Sequence, residues 1–302
     1  MTEQFSLLFI QRFKGKVLFN VPMSDYTSIA IGGAADVMAF PSGEGDLKDL
    51  LSFAHSKGYA VHLHGGGSNV VVRDKGIRGV VINMNEGFKD IEWKDDCSVV
   101  AGASVPLYEF FRETKDRECT GLEFVSGIPG TVGGAITMNA GAYGVEMQDI
   151  LEGAEIVTAK GKKGFLSKKE LGFGYRSSEI PEGSVIIKGH FKFKKGNKKE
   201  IEEKIADFKT RRRTTSAINK PNCGSVFKNP EGSHAGRLIE EAGLKGSIVG
   251  KAQISEVHAN YIVNLGGAKA EDVLSLMAMA RDKVYSTTGI LLEPEVKVVG
   301  EG

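Results

Sequence analysis

Between Gly121 and Gly144 the chain reads GLEFVSGIPGTVGGAITMNAGAYG, with glycines at 121, 127, 130, 133, 134, 141 and 144. Apolar residues alternate with these glycines, so the segment can bury itself while leaving backbone amides unshielded by side chains. That pattern suits a long, flat, partly polar ligand better than a solvent loop. A shorter cluster lies upstream, His64-Gly65-Gly66-Gly67-Ser68-Asn69, after the strand-like run 59–63. Consecutive glycines allow N–H groups to converge on an anion. The dinucleotide fingerprint fails there: Gly65-x-Gly67-x-x-Val70 lacks the third glycine. The text after it, 70–82, is β-branched and interrupted by Gly76 and Gly79 instead of opening a helix. The loop is therefore not a Rossmann turn.

Composition agrees with a ligand-binding globular protein. Glycine supplies 39 of 302 residues, about twice the roughly 7% that is typical, while prolines number only 8, which is not a linker signature. An apolar share of 41% and a charged share of 25% exclude disorder, collagen and a membrane bundle, and the length suggests two domains at about 150 residues each. Lys plus Arg (39) and Asp plus Glu (38) cancel, so no global field draws the chain to nucleic acid or an anionic membrane. The N-terminal run carries Glu3 and no small-residue cleavage site, and no apolar stretch reaches spanning length. Cys97, Cys119 and Cys223 are odd in number and far apart in sequence, which argues against a disulfide framework. The expectation is a cytoplasmic monomer.

Strand-like runs at 79–82, 98–101, 155–158, 184–193 and 295–299 alternate with fewer helical ones at 46–57 and 106–115, where Pro106 suits a first turn. From about residue 197 the text becomes richer in helix. Ile201, Ile205 and Phe208 mark one face of a helix over 198–213. A second helix, 236–242, can end at Gly243, and a third, 269–288, at Gly289. The reading is α+β throughout, with a glycine-punctuated region over 1–200 (subdomains about 1–77 and 78–200) and a further α+β domain over 201–302.

Six ordered motifs, YTSIAIGG from Tyr26, GGGSNVVV, GIPGTVGGAITMNAGAYG, GYRSS, CGSVFKNP and LEPEV, span nearly the whole chain. Together they resemble the UDP-N-acetylenolpyruvoylglucosamine reductase (MurB) family of peptidoglycan precursor synthesis, in its shorter type without the insertion that carries a tyrosine lid. The resemblance implies the FAD-binding fold of vanillyl-alcohol-oxidase-type flavoproteins, followed by a substrate-binding domain. It implies FAD contacts at Tyr26, Gly65, Gly66, Gly67, Ser68 and Asn69 in the first motifs. Further contacts follow at Gly121, Ser126, Gly127, Ile128, Pro129, Gly130, Gly133, Gly134, Ala135, Asn139, Ala140 and Gly141. Ser68 stands where many oxidases of this fold carry a flavin-tethering His, so the FAD is expected to be noncovalent.

The family reaction implies NADPH as co-substrate and UDP-N-acetylenolpyruvoylglucosamine as the group reduced. Hydride arriving at C3 of the enolpyruvyl group places negative charge on C2 and its carboxylate, which calls for a cation, an acid and a proton donor. By resemblance Arg176 supplies the cation, Ser225 the proton to C2, and Glu295 the acid, with Glu293 as a rival since both would share one strand face. Tyr175, Arg213, Lys228 and Asn229 are the further substrate-binding candidates. Cys223 is expected to be a buried thiol, although its nearness to Ser225 makes it a candidate for modification. His62 and His64 lack a third partner with ligand spacing, so no metal is expected. The competing readings are another noncovalent FAD oxidoreductase of the same fold and a nonenzymatic flavin carrier.

Overall fold

The computed structural model describes residues 13–215 and 219–302, with the side chains of 213–215 outside the described set. Packing groups the chain into two units that interleave in sequence. The first comprises residues up to Phe19, Val37–Gly66 and Gly79–Thr210; the second comprises Asn20–Asp36, Gly67–Arg78 and Arg211–Gly302. The grouping differs from a single cut near residue 200, because two early segments pack with the C-terminal elements.

In the first unit, helix α1 (Glu44–Lys57) starts with Glu44 and Asp46 in its first turn and stops at Gly58, whose φ of 67° provides the left-handed cap. Its Leu47, Leu50 and Leu51 pack with Val37, Ala39, Val80 and Ile82 of a sheet ordered Lys16–Pro22, Ala34–Phe40, Ile77–Asn83, Val61–His64. The last two strands are parallel. A second, antiparallel sheet is ordered Lys163–Ser167, Leu151–Val157, Val185–Lys192, Ser98–Gly102, Ile91–Trp93. Helices α2 (Leu107–Asp116) and α3 (Val132–Thr137) share its core, in which Phe110, Phe124, Ile136 and Phe191 are almost wholly excluded from water. Pro106 lies just outside α2 as its extended N-cap. Helix α4 (Lys198–Thr215) buries Ile201 and Ile205, as its apolar spacing requires.

The second unit is a four-stranded antiparallel sheet ordered Asn222–Ser225, Tyr261–Asn264, Ala252–Ile254, Ile248–Val249. Helices α5 (Ala235–Glu241) and α6 (Ala270–Thr288) pack with it, through Leu238, Ile239, Val273, Leu276 and Val284 against Cys223, Val226, Phe227, Ile254 and Ile262. Gly243 (φ 75°) and Gly289 (φ 73°) follow the two helices in the left-handed region, as their positions predicted. Ile29, Ile31 and Val71, from the early segments, complete this core. Strand Lys297–Val299 pairs in parallel with Val70–Val72.

Candidate active site

The two glycine clusters are brought together by backbone packing. In the first unit, Gly66 lies against Gly130: a Cβ on Gly66 would sit 3.1 Å from Gly130 Cα, and one on Gly65 would sit 3.3 Å from Thr131 Oγ1. In the second unit, Gly67 (φ 65°) is pressed on Tyr26, whose carbonyl oxygen would be 2.0 Å from an added Cβ, and Ser28 N–H donates to Gly67 O at 3.0 Å. Packing accounts for Gly133, whose Cβ would meet that of Ala103 at 2.8 Å, and for Gly141, crowded by Val145 and Glu146.

Gly134 is different. It is exposed on α3 with an ordinary helical backbone, and an added Cβ would meet only Thr131 Oγ1, at a comfortable 3.5 Å. Glycine within a helix costs about 1 kcal/mol relative to alanine, and nothing in the fold requires that cost here. Side-chain-free main chain at Gly65, Gly66, Gly130 and Gly134 suits a flat cofactor held by backbone groups, as FAD would be. The flanking candidates Ser126, Ala135 and Asn139 are buried, while Ile128 and Ala140 are half-buried against the same core.

Arg176 sits on a tight turn. Gly174 and Ser177 exchange both main-chain hydrogen bonds (3.1 and 3.2 Å), leaving Tyr175 and Arg176 as the two loop residues. Arg176 has φ 56°, a left-handed conformation that an L side chain adopts only at a cost. Its Nη2 donates to Gly141 O at 2.7 Å, Nη1 is 3.8 Å from Glu146 Oε1, and the guanidinium lies over the Tyr175 ring. Asn139 fixes the turn from below: its Nδ2 donates to Gly174 O (3.0 Å) and to Glu146 Oε2 (2.8 Å), while Oδ1 accepts the Gln148 N–H (3.0 Å).

Ser225 and Glu295 meet through one peptide in the second unit. Asn222 pairs with Val263 and Ser225 with Tyr261, so three steps on one strand face two on the other, a β-bulge with Gly224 (φ 76°) in the left-handed position. Asn222 Oδ1 accepts the Gly224 N–H at 3.0 Å, closing that bulge. Ser225 Oγ makes no hydrogen bond to any described residue. Val226 O accepts N–H bonds from Glu295 (2.8 Å) and Val296 (3.3 Å), and Asn69 Nδ2 donates to Glu295 O at 3.2 Å. Asn69, expected at the flavin loop, thus holds the backbone of Glu295.

Glu293 and Glu295 do not share a strand face, because the strand begins only at Lys297 and Pro294 forms an isolated bridge with Phe227. Glu293 points outward to an ion pair with Lys228 (3.6 Å), whereas Glu295 is half-buried.

The remaining candidates are dispersed. Asn229 Oδ1 accepts the Ala235 N–H at 3.0 Å, capping α5 and leaving its Nδ2 as donor. The side chain of Arg213 lies outside the described residues. Cys223 is fully buried and burial pushes its thiol up to about 12, so it is an unreactive core residue and not a site of modification. Cys97 and Cys119, distant in sequence, meet at 3.1 Å between sulfurs as buried free thiols. Among the described residues no cluster of His, Cys, Asp or Glu is arranged to hold a metal.

Known proteins match this chain along its length. Residues 35–163 match the FAD binding domain family, and residues 216–299 the C-terminal domain of UDP-N-acetylenolpyruvoylglucosamine reductase. The UDP-N-acetylenolpyruvoylglucosamine reductase of Alkaliphilus oremlandii (strain OhILAs) is 43% identical over 94% of this chain and 94% of its own. That of Geotalea uraniireducens (strain Rf4) is 40% identical over 99% of each. The crystal structure of UDP-N-acetylenolpyruvylglucosamine reductase (MurB) from Thermus caldophilus superimposes with a TM-score of 0.81 at 35% identity, covering 94% of this chain and 98% of that one. An α+β fold with an FAD-binding domain stands on these matches. With full-length identity at this level and both domain models in order, the chain belongs to the family of UDP-N-acetylenolpyruvoylglucosamine reductases.

Proposed function

We propose that this protein is an FAD-containing, NADPH-dependent oxidoreductase that reduces the enolpyruvyl group of UDP-N-acetylenolpyruvoylglucosamine to UDP-N-acetylmuramate, a step of peptidoglycan precursor synthesis. The observation that carries the reading is the wiring of Ser225 to Glu295 through Val226, with the serine hydroxyl hydrogen-bonded to none of the described residues. Bound FAD would supply the redox chemistry, the relay of hydride from NADPH to the enolpyruvyl group. By the resemblance, residues of the glycine loops at Gly65–Asn69 and Gly121–Gly141, with Tyr26, would hold it, noncovalently because Ser68 offers no tether. Residues 1–200 carry this function and residues 201–302 bind the substrate.

The chain's own residues then manage charge and one proton. Arg176, fixed by Gly141 O and the Gly174–Ser177 turn, presents a permanently charged fork suited to the carboxylate on which negative charge develops. Ser225 Oγ–H gives its proton to C2; a serine is a weak acid, so the step depends on a strongly basic carbon beside it. Glu295, protonated, shares the charge by hydrogen bonding, whereas its ionised form would repel it. Tyr175, Arg213, Lys228 and Asn229 bind the remainder of the substrate. Free thiols suit a reducing compartment, and we read the protein as a cytoplasmic monomer; among the described residues no helix is long and apolar enough to cross a membrane.

The test is anaerobic. After NADPH reduces the bound flavin, addition of UDP-N-acetylenolpyruvoylglucosamine should restore the visible flavin band, and a silent band contradicts the assignment. Ser225→Ala should leave flavin reduction by NADPH within about 2-fold and slow this second half-reaction by at least roughly 10²-fold. Equal slowing of both halves removes Ser225 from the donor role.

A further inference from the structure

We infer that Asn260 is a positioning residue for the proton-donating step, holding Ser225 and Glu295 in register with each other through the backbone of Val226 and Phe227. The inference rests on the roles given above to Ser225 and Glu295.

Asn260 is 3% exposed and stands at the foot of strand Tyr261–Asn264, opposite the bulge. Its side-chain amide pairs with both main-chain groups of Phe227: Oδ1 accepts the N–H at 3.0 Å and Nδ2 donates to the carbonyl at 2.8 Å. Its own carbonyl accepts the Val226 N–H at 2.9 Å. A single residue thus supplies three of the bonds that fix the two residues following Ser225. The bulge at Gly224 ends the regular ladder, and a side chain takes over the pairing that a continuing strand would have provided.

The same two residues are held from the other side by the segment that bears the acid. Val226 O accepts from Glu295 and Val296, and Phe227 bridges to Pro294. Displacing Phe227 therefore moves Ser225 and Glu295 relative to one another. Asn260 is itself anchored, since its N–H donates to His258 Nδ1 at 3.1 Å. That bond needs an unprotonated ring nitrogen, and burial holds the His258 pKa below its usual range. Buried amide networks fully satisfied in this way resist rearrangement. A donor that must meet C2 within tenths of an ångström gains its rate from such fixing, and misplacement by about 1 Å costs on the order of 10²-fold.

The experiment compares Asn260→Ala, Asn260→Asp (same shape, the donor to Phe227 O lost) and Ser225→Ala in the flavin-loaded protein. Both half-reactions are followed by stopped flow, substrate affinity for the oxidised enzyme is titrated, and deuterium uptake over residues 222–228 is read by mass spectrometry. Both Asn260 variants should keep NADPH reduction within about 2-fold, keep substrate affinity, take up deuterium faster over 222–228, and slow flavin reoxidation by substrate roughly 10- to 100-fold. Equal slowing of both half-reactions, loss of flavin from both variants, or unchanged reoxidation would each overturn the inference. If Ser225→Ala reoxidises normally, the role of Ser225 fails first, independently of Asn260.

Discussion

In the role proposed for it, Arg176 would trade stability for chemistry. A left-handed φ of 56° costs an L residue about 1–2 kcal/mol, and a turn with this geometry would ordinarily take glycine at that position. Arg176→Gly removes that strain, offset by roughly 0.5–1 kcal/mol of extra unfolded-chain entropy and by about 1 kcal/mol for the lost bond to Gly141 O. The sum predicts a folding stability within about 1 kcal/mol of the parent, yet turnover at least roughly 10²-fold lower because the cation is gone. Thermal melts beside steady-state kinetics decide it; a large loss of stability matched by a modest loss of turnover would make Arg176 a structural residue. Little of this was legible in the residue order. The GYRSS motif located Arg176 by resemblance, but only the backbone shows that its conformation is strained and that Asn139 is committed to holding the turn. Asn260 gave no signal at all, since a polar residue between Ala259 and Tyr261 has no periodicity that distinguishes a clamp from a strand end.

At the scale of elements, helix ends are where side chains from distant parts of the chain matter most. The first two amides of α6, at Ala270 and Glu271, are capped by Asp74, whose Oδ1 and Oδ2 accept them at 2.8 and 3.0 Å. A carboxylate there satisfies two orphan donors and faces the positive end of the helix dipole. Asp74→Ala should cost about 1–2 kcal/mol, and Asp74→Asn, which retains one acceptor, less than half of that, as measured by urea unfolding. If Asp74→Ala costs less than about 0.3 kcal/mol, water replaces the cap adequately. The long helices were legible from apolar spacing and glycine caps, and α1, α2, α5 and α6 begin or end within two residues of the pattern. Helix α3 was not, because Gly133 and Gly134 lower its intrinsic propensity and its stability comes from Val132 and Ile136 in the core. The strand expected from Glu295 shortens to Lys297–Val299 for a related reason: Pro294 offers no N–H, and the Glu295 N–H is drawn to Val226 O.

For the whole molecule, the interleaving of the two packing units sets a limit on what can fold alone. The C-terminal stretch 201–302 binds substrate in the proposed division of labour, but its core is completed by Ile29, Ile31 and Val71, each at most 2% exposed. Full burial of such side chains contributes about 1.5–3 kcal/mol apiece, so their absence removes on the order of 5–9 kcal/mol, comparable to the 5–15 kcal/mol that typically separates folded from unfolded domains. The fragment would also lose the partner strand Val70–Val72, the Asp74 cap, and the carbonyls of Ile29 and Ala30 that accept from Asn264 Nδ2 at 3.0 and 3.2 Å. Fragment 201–302 expressed by itself should therefore show helical far-UV signal without a sigmoidal melt, and should bind a hydrophobic dye. Supplying 20–36 and 67–78 on the same chain, joined by flexible linkers, should restore a cooperative transition, because those two segments carry every contact just named. A cooperative melt from 201–302 alone would mean that the early segments decorate a core that the later residues already close, and that the unit folds before the glycine loop between the segments is in place.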